Sequence, residues 1–320
     1  MRFKLQLGGS IKLMNKILSK ILSGDKICLV DVGASGGVEP RWAAIKNMLS
    51  CILFEPDERS FEDLQPSEDE ITYPYIVGDK TGEKAFYLCR KPQVSSGFKP
   101  NADLLSRFPE AERYDVIEKE TFSCSTLDHI IPTDTVDVDF IKLDVQGAEA
   151  EVISGAQSLL QGPVIGVEAE VWLSEVYKEQ PLLGDISALL TSKGFEFYDF
   201  TNILRWERDQ FTRFGQNVMG DVLFLKTPER FAEDIASLSP EQAQRKARRY
   251  IVVCALYDRV DLMPVCKKVL SAYFDTATHK LIDELEVWLL SRRKKVNIAL
   301  VVIDHFLHLF GYRAMPVQWK

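Results

Sequence analysis

CLVDVGASGGVEPRW, residues 28–42, is an apolar run that stops abruptly in glycine. Asp31 sits at the edge of the run and Pro40 follows the glycines. A strand leading through Asp31 into Gly33-Ala34-Ser35-Gly36-Gly37 lets backbone approach a ligand closely, because glycine has no side chain to interfere. A helix beginning at Pro40 would aim its free N–H groups and partial positive charge at the same place. In open α/β sheets such a crevice lies at the carboxyl ends of the strands. By themselves the glycines suit any nucleotide-like ligand.

Outward from this stretch the chain alternates short apolar runs with helical patterns, which predicts a parallel sheet covered by helices. KICLVDVG reads as the first strand, CILFEPD as the second and ITYPYIV as a third ending at Gly78-Asp79. DVDFIKLDV, GPVIGVEAE, FEFYDF and GDVLFLK read as later strands, and GAEAEVISGAQSLL and PLLGDISALLTSKG as helices between them. Residues 83–127 look less regular. Within them KPQVSSGFKPN, rich in proline, serine and glycine, reads as a loop facing substrate rather than core.

Glu55 ends the second strand, twenty-two residues after Gly33. A carboxylate there can accept hydrogen bonds from both hydroxyls of a ribose. The glycine spacing is G-x-x-G-G rather than G-x-G-x-x-G, so no pyrophosphate cradle is evident. S-adenosylmethionine has a ribose and an amino-acid tail but no phosphates, and suits this pattern better. In FIKLDVQGAEAEVISGA, residues 140–156, a further apolar strand ends in Asp144, and Gly147 turns the chain into a helix carrying Glu149. Set beside the first strand, Asp144 would face the glycine turn across the crevice.

At this point the sequence resembles the FkbM-type S-adenosylmethionine-dependent methyltransferases. VDVGASGG, FEPD, VGDKTGE, SSGFKPN, STLDHI, DFIKLDVQGAEAEVISGA and PVIGVEAE carry the resemblance, in order, together with QPLLGDISALLTSKGFEFYDF and GDVLFLK, over about residues 26–226. It implies a class I methyltransferase fold: a doubly wound, seven-stranded sheet, mostly parallel with one antiparallel strand. It also implies that the cofactor's amino-acid end lies over Gly33, Ala34, Ser35, Gly36 and Gly37, with Asp31 nearby. Glu55 would hold the ribose and Asp79 would neighbour the adenine amino group. Among the acids, Asp144 is the first choice for the base that takes a proton from an acceptor hydroxyl. Glu149 and Glu168 match the family pattern as orienting groups, and Ser95 and Ser96 as substrate or cofactor contacts. The three acids also offer oxygen ligands for a divalent metal, but such sites need more convergent groups than a sequence displays, and no metal is assigned. Each acid has a plainer reading too: Glu149 in the first turn of a helix, Asp144 as its cap, Glu55 as a solvated strand end.

The resemblance points to transfer of a methyl group to a hydroxyl of a sugar, polysaccharide or secondary metabolite. Two other readings stay open at this level. One is an NAD(P)-dependent oxidoreductase using the same crevice, against which the glycine spacing counts. The other is a non-catalytic binding or assembly module that keeps the fold.

The remaining features set bounds. The chain has 320 residues, 46% apolar and 27% charged, enough for one large domain or two ordinary ones. Its net charge of −8 weighs against nucleic-acid binding, which needs a cationic face. Cys28, Cys51, Cys89, Cys124, Cys254 and Cys266 form no C-x-x-C pair, the pattern of reduced, buried thiols in a cytoplasmic protein. Met14, Ile17, Leu18, Ile21 and Leu22 form a helical stripe opposite Lys12, Lys16 and Lys20. That predicts an amphipathic helix over 1–25 packed on the protein, or peripherally on a membrane surface. No transmembrane segment is expected. Beyond Thr227-Pro228 only helical periodicity is seen, so 227–320 is expected to be a helical domain that caps the site, joins two subunits or docks a larger substrate. RKARR (245–249) and RRKK (292–295) read as solvated helix faces, and His305 and His308 lack the further ligands a metal would need.

Overall fold

A computed structural model describes residues 2–43, 45–61, 68–132, 135–208 and 215–308. Ten strands occur among them: β1 (Ile27–Val32), β2 (Leu49–Phe54), β3 (Glu70–Tyr73), β4 (Ile76–Val77), β5 (Gly82–Cys89), β6 (Val116–Ser125), β7 (Phe140–Leu143), β8 (Gly166–Trp172), β9 (Phe195–Trp206) and β10 (Gln216–Lys226). Seven of them make one sheet in the order β3-β2-β1-β7-β8-β10-β9. The pairs β3–β2, β2–β1, β1–β7 and β7–β8 are parallel, and β10 runs antiparallel to both its neighbours. The expected sheet, mostly parallel with one reversed strand, is present. β1 and β8 are buried along their whole length, as strands covered on both faces must be. Val30, Val32, Ile141, Leu143, Val152, Val167, Ala169 and Phe224 form the core between sheet and helices.

Strand order reverses between β1 and β7. After β1 the chain builds outward through β2 and β3, and it returns to the other side of β1 only at β7. The loops after these two strands therefore diverge, leaving a crevice at their carboxyl ends.

Two local expectations change. ITYPYIV is not one strand: it breaks at Pro74 into β3, in the large sheet, and β4, which pairs in parallel with β6 through Ile76↔Cys124 and Val77↔Ser125. Proline has no N–H to donate and cannot continue a ladder. Residues 83–127 are more regular than the sequence suggested. β5 and β6 pair antiparallel from Gly82↔Cys124 to Cys89↔Val116, completing a three-stranded sheet with β4. Its polar, alternating strands hid the pattern, because only a small apolar cluster of Ile76, Phe86, Leu88 and Cys124 anchors one face.

The chain parts into two compact units, residues 25–246 and residues 1–24 with 247–320. The first extends past the boundary expected at 227 because the segment after β10 is fastened to the sheet. Phe231 and Ile235 of the helix Pro228–Ile235 are fully buried, and Lys226 pairs with Asp234. Lys246, expected on a solvated basic face, is instead 1% exposed. Its Nζ donates to Val138 O and to Asp139 Oδ1, each at 2.8 Å, while Asp139 Oδ2 accepts the Cys28 N–H at 2.8 Å.

In the second unit the helix Arg2–Leu22 packs with the long helix Thr276–His308. Met14, Ile17, Leu18, Ile21 and Leu22 are buried, so the apolar stripe is spent on the protein rather than offered to a membrane. Tyr250, Ile251, Cys254, Ile282, Leu285 and Leu289, apolar positions at helical spacing in the C-terminal segment, are buried as well. The side chains of Ala299, Val302, Ile303, Phe306 and Phe310, which continue that spacing, of Arg293–Lys295 and of His305 and His308 lie outside the described residues. All six cysteines are buried and free. Among the described residues no helix is long and apolar enough to cross a membrane.

Lys246 is the cation for the fully buried Asp139. Lys246→Met should cost about 3–5 kcal/mol by leaving that carboxylate uncompensated. Adding Asp139→Asn should recover part of the loss, as measured by denaturant unfolding.

Candidate functional site

Gly33 N–H and Ala34 N–H both donate to Phe54 O, at 2.9 and 3.0 Å, which folds the glycine turn over the end of β2. Gly33 has φ +87°, and a Cβ there would stand 1.9 Å from Asp144 O. Only glycine lets the loops after β1 and β7 approach this closely. Gly36 and Gly37 also have positive φ, and a Cβ at either would meet open space. The helix that begins at Pro40 runs only to Ala43, so it contributes less N-terminal dipole than the sequence suggested.

Between these loops lies a crevice of about 740 Å³, its open mouth included. Gly33, Ser35, Glu55 and Asp144 line it from the large sheet. Tyr75, Ile76, Val77 and Phe86 line it from the small one. The small sheet thus supplies an apolar wall that no sequence motif announced.

Glu55 is 6% exposed, and its Oε1 accepts the Asp57 N–H at 2.9 Å. Burial, with Asp57, Asp144 and Asp31 nearby, pushes its carboxyl up to about 7. Asp57 also lines the crevice but is saturated. Its Oδ1 accepts Arg59 N–H at 3.0 Å and Nε–H at 2.8 Å, and its Oδ2 accepts from Arg59 Nη2 and from Ser95 Oγ. Ser95 Oγ in turn accepts the Cys89 N–H at 3.0 Å. Ser95 therefore lines the crevice while latching its outer loop to the end of β2. Ser96 is fully buried, donating to Gln146 O at 2.7 Å and accepting the Phe98 N–H at 2.9 Å.

Across β1, β7 and β8, Asp31, Lys142 and Glu168 stand in register. Lys142 Nζ lies 3.3 Å from Asp31 Oδ1 and 3.7 Å from Asp144 Oδ2. Burial pulls the ammonium down, but Asp31 and Asp144 outweigh it and hold it above the usual lysine range. Burial raises Asp31 to about 6 despite that partner. Glu168 accepts from Arg41 Nη1 at 2.8 Å and from Thr201 Oγ1 at 2.5 Å. Glu149 is 1% exposed; its carboxylate closes the turn after β7 by accepting the N–H of Val145 at 3.0 Å and of Gly147 at 3.1 Å. Burial pushes Glu149 up to about 8.

Of the three acids expected to be catalytic, only Asp144 lines the crevice; Glu149 and Glu168 hold backbone and neighbouring side chains. Of the expected cofactor residues, Gly33, Ser35 and Glu55 line it, while Asp31, Ala34, Gly36 and Gly37 support or extend the turn. Asp79 is exposed and outside the lining, although Ile76 and Val77 of the preceding β4 line the crevice. Lys142, Gln146, Asp57, Arg59 and Lys84 were missed. Lys142 had a usable signal, since in a strand it must share a face with Asp144 two residues on. Among the described residues no group of three or more His, Cys, Asp and Glu is arranged to hold a metal.

The elevated Glu55 carboxyl makes a pH-dependent contribution to stability. Relative to an ordinary value of 4.5, a folded-state value of about 7 means that folding takes up a proton between these limits. The contribution is greatest below about 4.5 and is lost as pH rises through 7. The melting temperature of the wild type should therefore fall more between pH 5 and pH 8 than that of Glu55→Gln; equal falls would contradict this.

Residues 31–197 match the Methyltransferase FkbM domain. No curated protein matches the chain. Among solved structures, the chain is similar to a precorrin-6y C5,15-methyltransferase from Geobacter metallireducens (10% identity, TM-score 0.29, 67% of this chain and 88% of that one). It is similar also to a 16S rRNA (adenine(1408)-N(1))-methyltransferase mutant with SAM from Catenulisporales acidiphilia (12%, 0.30, 66% and 89%). A third is a 1,6-didemethyltoxoflavin-N1-methyltransferase from Burkholderia thailandensis (13%, 0.25, 68% and 78%). At these scores the structural likenesses add nothing to the strand order, which is itself that of a class I methyltransferase. The family match replaces the oxidoreductase reading: the chain belongs to the FkbM family and is an S-adenosylmethionine-dependent methyltransferase.

Proposed function

We propose that the acceptor atom is a hydroxyl oxygen, on a sugar, polysaccharide or secondary metabolite, and that Asp144 takes its proton. The observation that carries this is the placement of Asp144. Its carboxylate is 38% exposed, opens on the same crevice as Gly33 and Glu55, and has a cation and an amide donor beside it.

The crevice fits S-adenosylmethionine by its own chemistry. Glu55 is engaged through Oε1 only, leaving Oε2 as an acceptor for a ribose diol. The open backbone at Gly36 and Gly37 leaves room for an amino-acid tail, and Ile76, Val77 and Phe86 offer an apolar surface for a base. When bound, the cofactor supplies an electrophilic methyl on a sulfonium, which leaves as a neutral thioether. An alcohol is a poor nucleophile at neutral pH. Asp144 would accept the hydroxyl proton as the oxygen–carbon bond forms, with Lys142 compensating the charge on that carboxylate. Asp31 and Glu168 brace Lys142 and Arg41, and Glu149 fixes the turn that presents Asp144. The buried free thiols are consistent with a reducing, cytoplasmic setting.

The test is radiolabelled methyl transfer from S-adenosylmethionine to a panel of methyl glycosides and small polyketide alcohols. Asp144→Asn should slow transfer by about a hundredfold or more, the low end of general-base catalysis, with cofactor affinity unchanged. Wild-type turnover in that variant would overturn the base assignment. In calorimetry, Glu55→Ala should weaken cofactor binding by about 1–3 kcal/mol. Hydroxyl donors favour the ionised carboxylate, so wild-type affinity should rise as pH increases through about 7. Glu55→Gln should lose that rise.

A further inference from the structure

Gln146 occupies an unusual place in the turn after β7. Its φ is +54°, a left-handed conformation that a non-glycine residue adopts only against strain. The turn does not need the side chain to close. Glu149 already collects the N–H groups of Val145 and Gly147, and Ser96 caps the Gln146 carbonyl. The side chain instead lines the crevice and spends both amide hydrogens on acids, one of them the crevice residue Asp144. Nε2 donates to Asp144 Oδ1 at 2.9 Å and to Glu170 Oε2 at 2.8 Å, while Oε1 lies 2.9 Å from Tyr177 Oη.

These contacts dictate which way the amide points. Two carboxyl groups on one side call for the NH₂, whose two hydrogens they share. Tyr177 is fully buried, with its ring edge-on to Trp172 at 5.5 Å. Its one hydroxyl proton serves either Gln146 Oε1 or Val94 O, each 2.9 Å away, so Tyr177 abuts the carbonyl end of the amide from a rigid base while the carboxyl groups set its orientation. Glu170 is 4% exposed among Asp144, Glu149 and Asp221, and burial followed by repulsion from Asp144 raises its carboxyl well above the ordinary range. In either protonation state a Glu170 oxygen can accept from the amide, so one NH₂ group serves two acids. Lys142 cannot replace this control. It donates a hydrogen bond to Asp31 at 3.3 Å, but at 3.7 Å from Asp144 it supplies that acid with charge and not with direction.

We propose that Gln146 is a positioning residue: anchored by Tyr177 and Glu170, it holds Asp144 through Oδ1 so that Oδ2 remains presented to the acceptor hydroxyl. This rests on Asp144 being the base, and the two ideas fail differently.

The test uses Gln146→Met, which preserves length and removes both donors, with S-adenosylhomocysteine as the crevice probe. Crystal structures of wild type and variant with that probe should show Asp144 held in one rotamer in the wild type. In the variant it should be turned toward Lys142 or spread over several rotamers, while calorimetric affinity for the probe stays within about twofold. With any acceptor that the wild type methylates, kcat should fall about tenfold or more at an unchanged KM for S-adenosylmethionine, an effect that a purely structural role in the turn would not produce. Tyr177→Phe, which removes the hydroxyl that abuts the amide, should lower kcat in the same direction by a smaller factor. An unmoved Asp144 rotamer in Gln146→Met, or a variant whose kcat is unchanged, overturns the proposal. A variant that loses the probe's binding together with Asp144 order also overturns it, because Gln146 would then be holding the turn. Full activity in Asp144→Asn, with Asp144 ordered in the wild type and released in Gln146→Met, would overturn the base assignment alone.

Discussion

The backbone contact between Gly33 and Asp144 is the constraint on which the site depends. β1 and β7 are neighbours at the reversal of strand order, and their following loops must part to open a crevice. They part only after touching: Gly33 stands against the Asp144 carbonyl so closely that one added carbon could not be accommodated. That contact sets the cofactor turn and the proposed base at one fixed separation. The Gly33 and Ala34 N–H groups on Phe54 O extend the same clamp to β2 and to Glu55 beyond it.

Electrostatics then sorts acids that look alike in sequence. Asp31 near the end of β1, Asp144 and Glu149 beyond β7, and Glu168 and Glu170 within β8 lie together, with Lys142 and Arg41 as ion-pair partners. Burial and local donors assign each its work. Glu149 takes up backbone N–H groups, Glu168 holds Arg41 and Thr201, Asp31 anchors Lys142, and Glu170 sits behind the Gln146 amide. Asp144 alone among the three expected catalytic acids keeps access to the crevice. A cluster of this kind behaves as one unit, since removing any single partner leaves another charge buried and uncompensated.

Much of this was legible from residues 26 to 226. The buried run of β1, the glycines after it, Glu55 at the end of β2 and Asp144 at the end of β7 each carry a local signature, because parallel strands covered on both faces must be continuous and apolar up to their functional ends. Three features were not legible, for separate reasons. β5 and β6 bury little, so their alternating polar sequence imitates a loop. Pro74 splits an apolar run that reads as one strand, so the residues after it pair in the small sheet instead. Lys246 lies in a basic run like many solvated ones, and the distant Asp137 and Asp139 make its burial tolerable.

By itself, the order of residues determined the sheet-and-helix class, the family, the glycine turn after β1 and the acid that faces it, since these depend on local hydrophobic period and on glycine where backbone must come close. Tertiary structure decided which acids reach the crevice and which are consumed in holding it. It also decided that an apolar wall comes from the small sheet and that the left-handed Gln146 stands between two carboxyl groups. Those outcomes rest on contacts between residues far apart in the chain, such as Gln146 with Glu170 and Ser95 with Asp57, whose geometry no local pattern specifies.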